Sequence, residues 1–194
     1  MFAGRVRMGS MPRPSKTSRE AIIAAAVKII DQGPAEDLSM RAVARRLGLT
    51  PNALYYYFRD RKTLEAAVAA EGIRRIHAVL KKAAAGLRGP GAVRRTCHSY
   101  VRFARAHPAL YAVTMRKHPD VSELVAARRS FREFSQGLLA GAGNLRGVAT
   151  ANSAPWALLH GLVVLEREGL LEDSELPADA SRVISALLAG LSKS

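Results

Sequence analysis

The run Ser39-Met40-Arg41-Ala42-Val43-Ala44-Arg45-Arg46-Leu47-Gly48-Leu49-Thr50-Pro51-Asn52-Ala53-Leu54-Tyr55-Tyr56-Tyr57-Phe58 decides how the rest of the chain is read. Ser39 is a strong helix N-cap, because its hydroxyl can accept from an otherwise unpaired N–H of the first turn. Val43, Ala44 and Leu47 then share one helical face, and Gly48 supplies the left-handed residue that closes the helix. Thr50-Pro51 restarts it: Thr caps, and Pro is already set at the helical φ in the first position. Leu54 and Phe58, four residues apart, give the second helix its buried face. Two short helices joined by a tight Gly48-Leu49 turn have the sequence shape of a helix-turn-helix.

With Leu54 and Phe58 turned inward, the opposite face of the second helix carries Thr50, Asn52, Ala53 and Tyr56, with Tyr55 and Tyr57 at its margins. Phenol hydroxyls can donate to phosphate oxygens, an Asn side chain can bond base edges and an Ala methyl can touch a thymine methyl, so this face suits a DNA major groove. One or two of the tyrosines, Tyr57 more readily than Tyr56, could instead pack against the first helix. Ser39, Arg41 and Pro51 join the candidate DNA-contacting set. Just beyond, Asp60 can cap a further helix whose first turn holds Arg61 and Lys62, where the helix dipole disfavours cations. An external phosphate, gripped by the free N–H groups and these two side chains, would account for the placement; solvated cations at slight local cost are the alternative.

Working outward, Thr17-Ser18-Arg19-Glu20 has capping-box spacing, and Ile22, Ala26, Ile29 and Ile30 recur at helical spacing until Gly33-Pro34. Residues 1–16 mix Gly, Pro, Ser and cations without periodicity and read as a mobile basic arm. After Asp60 a helix runs through Leu64, Val68, Ile73, Ile76 and Leu80 toward Gly86. Helical stretches follow at Ala92–Ala106, Ala109–Arg116, Val121–Gly141, Val148–Glu168 and Ala178–Leu191, separated by Gly89-Pro90, His107-Pro108, His118-Pro119, the 141–147 stretch and Pro177. No alternating strand pattern appears. The expectation is an all-α chain of about nine helices: a basic arm (1–16), a helix-turn-helix unit (17–64) and a helical regulatory unit (65–194).

Composition narrows the function classes. The chain has 194 residues, with 30 Lys and Arg against 16 Asp and Glu, a net charge of +14. A polyanionic partner fits that balance. The charge is uneven: residues 1–62 carry 12 basic and 5 acidic side chains, 63–146 carry 15 and 5, and 147–194 carry 3 and 6, so the last quarter has a different task. A single cysteine, Cys97, excludes an internal disulfide and multi-thiolate metal sites. No apolar run approaches the roughly 20 residues of a membrane span, and the first ten residues lack the apolar stretch of a secretion signal. A cytoplasmic protein without membrane contact is expected. The five histidines show no metal-ligand spacing, and no nucleophile elbow, phosphate-binding glycine loop or acid pair is present, so neither a metal, a cofactor nor a catalytic residue is expected.

Residues Leu38 to Gly48, followed by Leu54-Tyr55-Tyr56-Tyr57-Phe58 and Leu64, resemble the DNA-binding region of TetR/AcrR-type transcriptional regulators. The motif fixes the turn glycine, the recognition helix and the start of the fourth helix together, and covers about a quarter of the chain. The family often has a Lys three residues after the motif Phe and then an acidic residue; here Arg61 and Lys62 stand there. Trp156-Ala157-Leu158-Leu159-His160-Gly161 more loosely resembles the Trp/His/Gly signature of one class of regulatory domain in that family. The resemblance implies a homodimer built by the last two helices, with Leu158, Leu162, Leu165, Ile184, Leu187, Leu188 and Leu191 at the interface. Two recognition units related by a twofold axis would then read two half-sites of a near-palindromic double-stranded operator, roughly 34–36 Å apart. It also implies a small-molecule effector held between the fourth and eighth helices; Tyr100, Phe103, His107, Tyr111, Met115, Phe131, Phe134 and Trp156 offer an apolar pocket with a few polar handles, with plain core as the alternative for each. The +10 balance over 63–146 points to an anionic effector such as an acyl thioester or carboxylate, the alternative being that those cations are solvated or face DNA phosphates.

The expectation is therefore a ligand-responsive repressor released from DNA by its effector. Two other classes compete: a helical carrier or enzyme that keeps the helix-turn-helix as scaffold, and a non-specific DNA binder. The Thr50, Asn52, Ala53 and Tyr56 face argues against both, since neither requires it.

Overall fold

The structure is a computed structural model that describes residues 17–142, 153–171 and positions 186 and 189. Among them lie eight α-helices and one 3₁₀ turn: α1 (Arg19–Gln32), the 3₁₀ turn (Ala35–Asp37), α2 (Met40–Leu47), α3 (Pro51–Tyr55), α4 (Arg61–Ala84), α5 (Gly89–Ala106), α6 (Pro108–Met115), α7 (Ser122–Ala140) and α8 (Ser153–Arg167). No strand occurs among the described residues. Of the ninth helix expected at 178–191 only Ala186 and Ala189 are described, both helical and exposed. The basic arm lies outside the described residues, as do positions 148–152 of the eighth helix.

Three local signals place these helices. The cap of α1 is Ser18, one residue later than the capping-box spacing suggested: its Oγ accepts from Ala21 N at 3.1 Å. Thr17 instead offers its backbone carbonyl to Tyr57. Ser39 caps α2 by accepting from Ala42 N at 3.1 Å. That helix closes at Gly48, with φ 66° and ψ 31°. Leu49 N then donates to Ala44 O at 2.9 Å and Gly48 N to Arg45 O at 3.2 Å, the paired bonds of a Schellman close. Thr50 does stand at the N-cap of α3, but its hydroxyl makes no cap bond. Its carbonyl takes Ala53 N at 3.1 Å.

One expected break is corrected. Gly89-Pro90 does not separate helices but opens α5, where Pro lies in the first turn and needs no N–H partner. Gly89, at φ 61°, turns the chain into it.

The axis of the molecule is α4, whose 24 residues span about 36 Å at the usual helical rise. It packs on α1, α5, α6 and α7. A helix surrounded on this many sides needs small residues, and Ala66, Ala67, Ala69, Ala70 and Gly72 are all buried. At Gly72 the approach is closest: a Cβ there would stand 1.9 Å from Thr114 Oγ1 of α6, so any side chain would push the two helices apart. A single apolar core runs from Ile22 of α1 through Leu54, Phe58 and Leu64 to Tyr100, Leu110 and Leu162. A second, smaller cluster joins α4 to Leu124 and Ala127 of α7. The same long helix thus joins α1 to α5, α6 and α7.

Candidate nucleic-acid interface and effector cavity

Leu54 and Phe58 are 0% and 1% exposed, and they anchor α3 to the core. On the other side Tyr56 is 85% exposed and Tyr55 52%. Thr50, Pro51 and Asn52 are exposed as well, and Ala53 is half-buried. All six keep some surface open to solvent, while Leu54 and Phe58 do not.

Tyr57 is placed differently. Its hydroxyl donates to Thr17 O at 2.8 Å, and its ring meets that of Tyr56 edge to face at 5.1 Å. The packing alternative describes this residue: it fastens the end of α3 to the start of α1.

Arg19 completes that fastening. Its Nη1 donates to Tyr57 O at 2.6 Å, its guanidinium lies 4.0 Å from the centroid of the Phe58 ring, and its Nη2 pairs with Glu123 Oε1 of α7 at 2.6 Å. A cation over a ring face is attracted by the ring quadrupole. One side chain therefore ties the segment that follows α3 to α7. The role of Arg19 is not legible in the sequence, because a single Arg in a first helical turn carries no signal of its distant partners.

At the start of α4, Asp60 forms a full capping box with Thr63: Thr63 N donates to Asp60 Oδ1 at 2.8 Å, and Asp60 N donates to Thr63 Oγ1 at 3.2 Å. The Thr63 N–H holds the Asp60 carboxyl below its ordinary range, so a carboxylate occupies part of the place considered for a phosphate. Arg61 pairs with Glu65 at 2.7 Å, and Lys62 is exposed. Ser39 is half-buried and engaged as a cap, while Arg41 is exposed. Arg41, Arg45 and Arg46 line one side of a surface groove of about 650 Å³ along α2. The sequence signal for Arg45 and Arg46 is slight: two adjacent cations on the polar side of a short helix.

A second cavity, of about 590 Å³, lies among α4, α6, α7 and α8. Its apolar wall is Ile73, Ile76, Met115, Phe131 and Trp156, and its polar side includes Arg116, Arg128 and Arg132. Of the eight effector candidates, the structure brings Met115, Phe131 and Trp156 to this cavity. Tyr100, Phe103 and Tyr111 are buried in the core instead. Phe134 packs on His77 with ring centroids 5.0 Å apart, and His107 packs on Phe103, with its Nδ1 3.8 Å from Asp31 Oδ1.

The buried tyrosines serve the cavity from behind. Tyr100 and Tyr111 hydroxyls are 2.9 Å apart, and the Tyr111 hydroxyl is 2.7 Å from His160 Nδ1. Burial lowers the His160 basicity, and Arg167 adds to the effect, so the ring is neutral near pH 7. A consistent proton order has Tyr100 donating to Tyr111 and Tyr111 donating to Nδ1. Burial raises both phenol pKa values, which keeps both protons in place. The fixed imidazole then stacks on Trp156, with centroids 5.4 Å apart and planes within 4°. Cys97 is buried and its thiol pushed up to about 11, so it is not reactive.

The expected dimer residues divide. Leu162 is buried in the chain's own core, Leu158 is half-buried and Leu165 is 38% exposed. Ile184, Leu187, Leu188 and Leu191 lie outside the described residues. Leu170, at 59%, and Trp156, at 43%, are also exposed.

A capped two-helix unit with an exposed polar and aromatic face, carried on an all-helical body with a lined cavity, defines a helix-turn-helix DNA-binding regulator. Comparison with known proteins agrees: residues 22–68 match the bacterial regulatory proteins of the tetR family, and residues 93–191 match the tetracyclin repressor-like C-terminal domain. The chain belongs to the TetR family of transcriptional regulators. An HTH-type transcriptional regulator of Mycobacterium tuberculosis is 30% identical, with 98% of this chain and 90% of that protein covered. A Rhodococcus sp. RHA1 protein of unknown function shares the fold with a TM-score of 0.73 at 22% identity, covering 97% of this chain and 98% of its own. A TetR variant from Acinetobacter baumannii AYE, solved with minocycline, has a TM-score of 0.63 at 19% identity over 92% of this chain and 98% of its own.

Proposed function

We propose that the protein is a homodimeric repressor that binds a near-palindromic operator in the cytoplasm and leaves it when a small molecule enters the cavity among α4, α6, α7 and α8. The observation that carries the DNA reading is the α3 face, where a fully buried Leu54 and Phe58 stand opposite an 85% exposed Tyr56. Asn52, Ala53 and Tyr56 are assigned to base edges, and Thr50, Tyr55, Arg41, Arg61 and Lys62 to phosphates. Pro51 sets the helix start. Ser39 and Tyr57 hold the unit together from within. The protein performs no covalent step in this reading.

Release follows from the connections already described. The cavity's α7 wall, Arg128, Phe131 and Arg132, continues the helix whose first turn holds Glu123. Glu123 grips Arg19, and Arg19 grips the Tyr57 carbonyl. An effector that favours a displaced α7 therefore favours a displaced recognition helix, and the half-site spacing no longer matches the operator.

Selection of random duplex DNA by the purified chain, at roughly 150 mM salt to suppress non-specific phosphate binding, tests the reading. Enrichment of an inverted repeat is expected. Retention of DNA without any enriched sequence would overturn it in favour of a non-specific binder.

A further inference from the structure

We propose that the cavity takes a molecule with an apolar body and one anionic head, a carboxylate or a phosphate monoester, and that Arg116 reports its arrival by exchanging Glu36 for that head. The proposal rests on the effector reading above and gives that site its ligand class.

The lining has no acidic residue, yet three guanidinium groups face it. Two of them have one carboxylate each outside the lining: Arg128 with Asp120 Oδ1 at 3.4 Å and Arg116 with Glu36 Oε1 at 3.2 Å. Arg132 has no acidic partner among the described residues. Among the described residues the lining thus holds one cation without a carboxylate, the exposed Arg132, beside an apolar wall, and a planar guanidinium is suited to hold a carboxylate or phosphate in a two-pronged bond. The apolar wall of Ile73, Ile76, Met115, Phe131 and Trp156 covers the body of such a molecule, and a volume of about 590 Å³ falls within the usual range for small-molecule sites. A neutral apolar ligand would fill the wall without engaging Arg132.

Arg116 gives the anion a consequence. It is the C-cap residue of α6, and Glu36 belongs to the 3₁₀ turn that follows α1 in the DNA-binding unit. A head group that draws Arg116 inward takes it from Glu36 and loosens α6 from that turn. By linkage, whatever DNA gains from the Arg116–Glu36 pair the anion must overcome. Both side chains are more than half exposed, so this pair alone contributes a few-fold change.

Trp156 is the sole tryptophan and lines the cavity, so its fluorescence reads occupancy in the DNA-free chain, independently of whether an operator has been found. The probes are decanoate, decyl phosphate and, as the neutral match, decanol. Decanoate or decyl phosphate should bind more tightly than decanol, with Arg132→Gln weakening the anion by about tenfold and leaving decanol unchanged. Glu36→Gln should tighten the anion by about two- to fivefold, because Arg116 loses its competitor, again without effect on decanol. Equal affinity for anion and alcohol, or no fluorescence response to any of the three, would overturn the ligand class. An unchanged anion affinity in Glu36→Gln would overturn the role of Arg116. Failure of the regulator reading shows separately, as an operator selection that yields no repeat.

Discussion

The DNA-reading unit and the cavity are built on opposite plans. In the first, α1 to α3 lie within 37 residues of chain, and their geometry is set by neighbours in sequence: Ser39 with Ala42, Ala44 with Leu49, Leu54 with Phe58. In the second, the wall draws on Ile73, Thr114, Phe131 and Trp156, residues from four helices. Its closest helix approach depends on the absence of a side chain at Gly72. The recognition face is locally encoded and rigidly backed. The cavity is a gap left by global packing, which suits it to change shape when a ligand fills it.

Phe58→Ala probes the backing most severely. It removes a ring that is 1% exposed and the surface on which Arg19 lies, and a truncation of this kind costs about 3–5 kcal/mol. Because one core joins the two units, far-UV circular dichroism and Trp156 fluorescence should lose their signals at the same, lowered midpoint. Two separated transitions would break the view that α4 makes the units one cooperative body.

Tyr56→Ala should leave the melting temperature unchanged, since the side chain is 85% exposed, but weaken selected operator over random DNA by about 1–3 kcal/mol. Lys62→Ala sharpens the contrast within the unit: it should weaken all sequences alike and flatten the slope of log affinity against log salt by about one. Electrophoretic shift measured across a salt series separates the two. A salt-slope change in Tyr56→Ala without loss of selectivity would move that residue from base edge to phosphate.

How much of each region was readable in the sequence follows from the same difference. Caps, the Gly48 turn and the Leu54 and Phe58 pair act over three to five residues, and the helix-turn-helix followed from them. The chain's all-helical class followed from periodicity of the same reach. The cavity's place between α4 and α8 was implied by the resemblance, but most of its lining did not follow. Aromatic residues at helical spacing look alike whether they line a gap or fill a core, so spacing does not separate Tyr100, Phe103 and Tyr111, which are buried in the core, from Phe131 and Trp156, which line the cavity. The arginines of the cavity were hidden for the converse reason: Arg116, Arg128 and Arg132 are indistinguishable in sequence from solvated cations. Only the packing of α6, α7 and α8 shows that they converge. Arg19 shows the same limit inside the readable unit, because its partner Glu123 is 104 residues away.

Acid provides the mildest way to set the two regions apart. Residues 17–64, which hold the helix-turn-helix, have no histidine, whereas His77 packs on Phe131 and His160 on Trp156, both of the cavity wall. Burial is the main cause of lowered basicity in each, with Lys81 acting on His77 and Arg167 on His160. The unfolded chain therefore takes up these protons first, near the ordinary histidine value of 6.5, while the folded chain still excludes them. The stability they confer is fully present above that value and is lost as pH falls through the depressed folded values. The affected carboxylates, Glu20, Glu36 and Asp60, have pKa values below their ordinary range and titrate in more acidic solution. Between about pH 7.5 and about pH 5.5 the melting temperature should fall, and His160→Gln, with His77 still in place, should shrink that fall without abolishing it. Protonating His160 also removes the acceptor of the Tyr111 hydroxyl and the neutral ring on which Trp156 stacks, so the fluorescence of Trp156 should change before unfolding begins. A melting temperature that rises on acidification across this window would contradict the burial of the two rings, and a fluorescence signal indifferent to pH would detach Trp156 from His160.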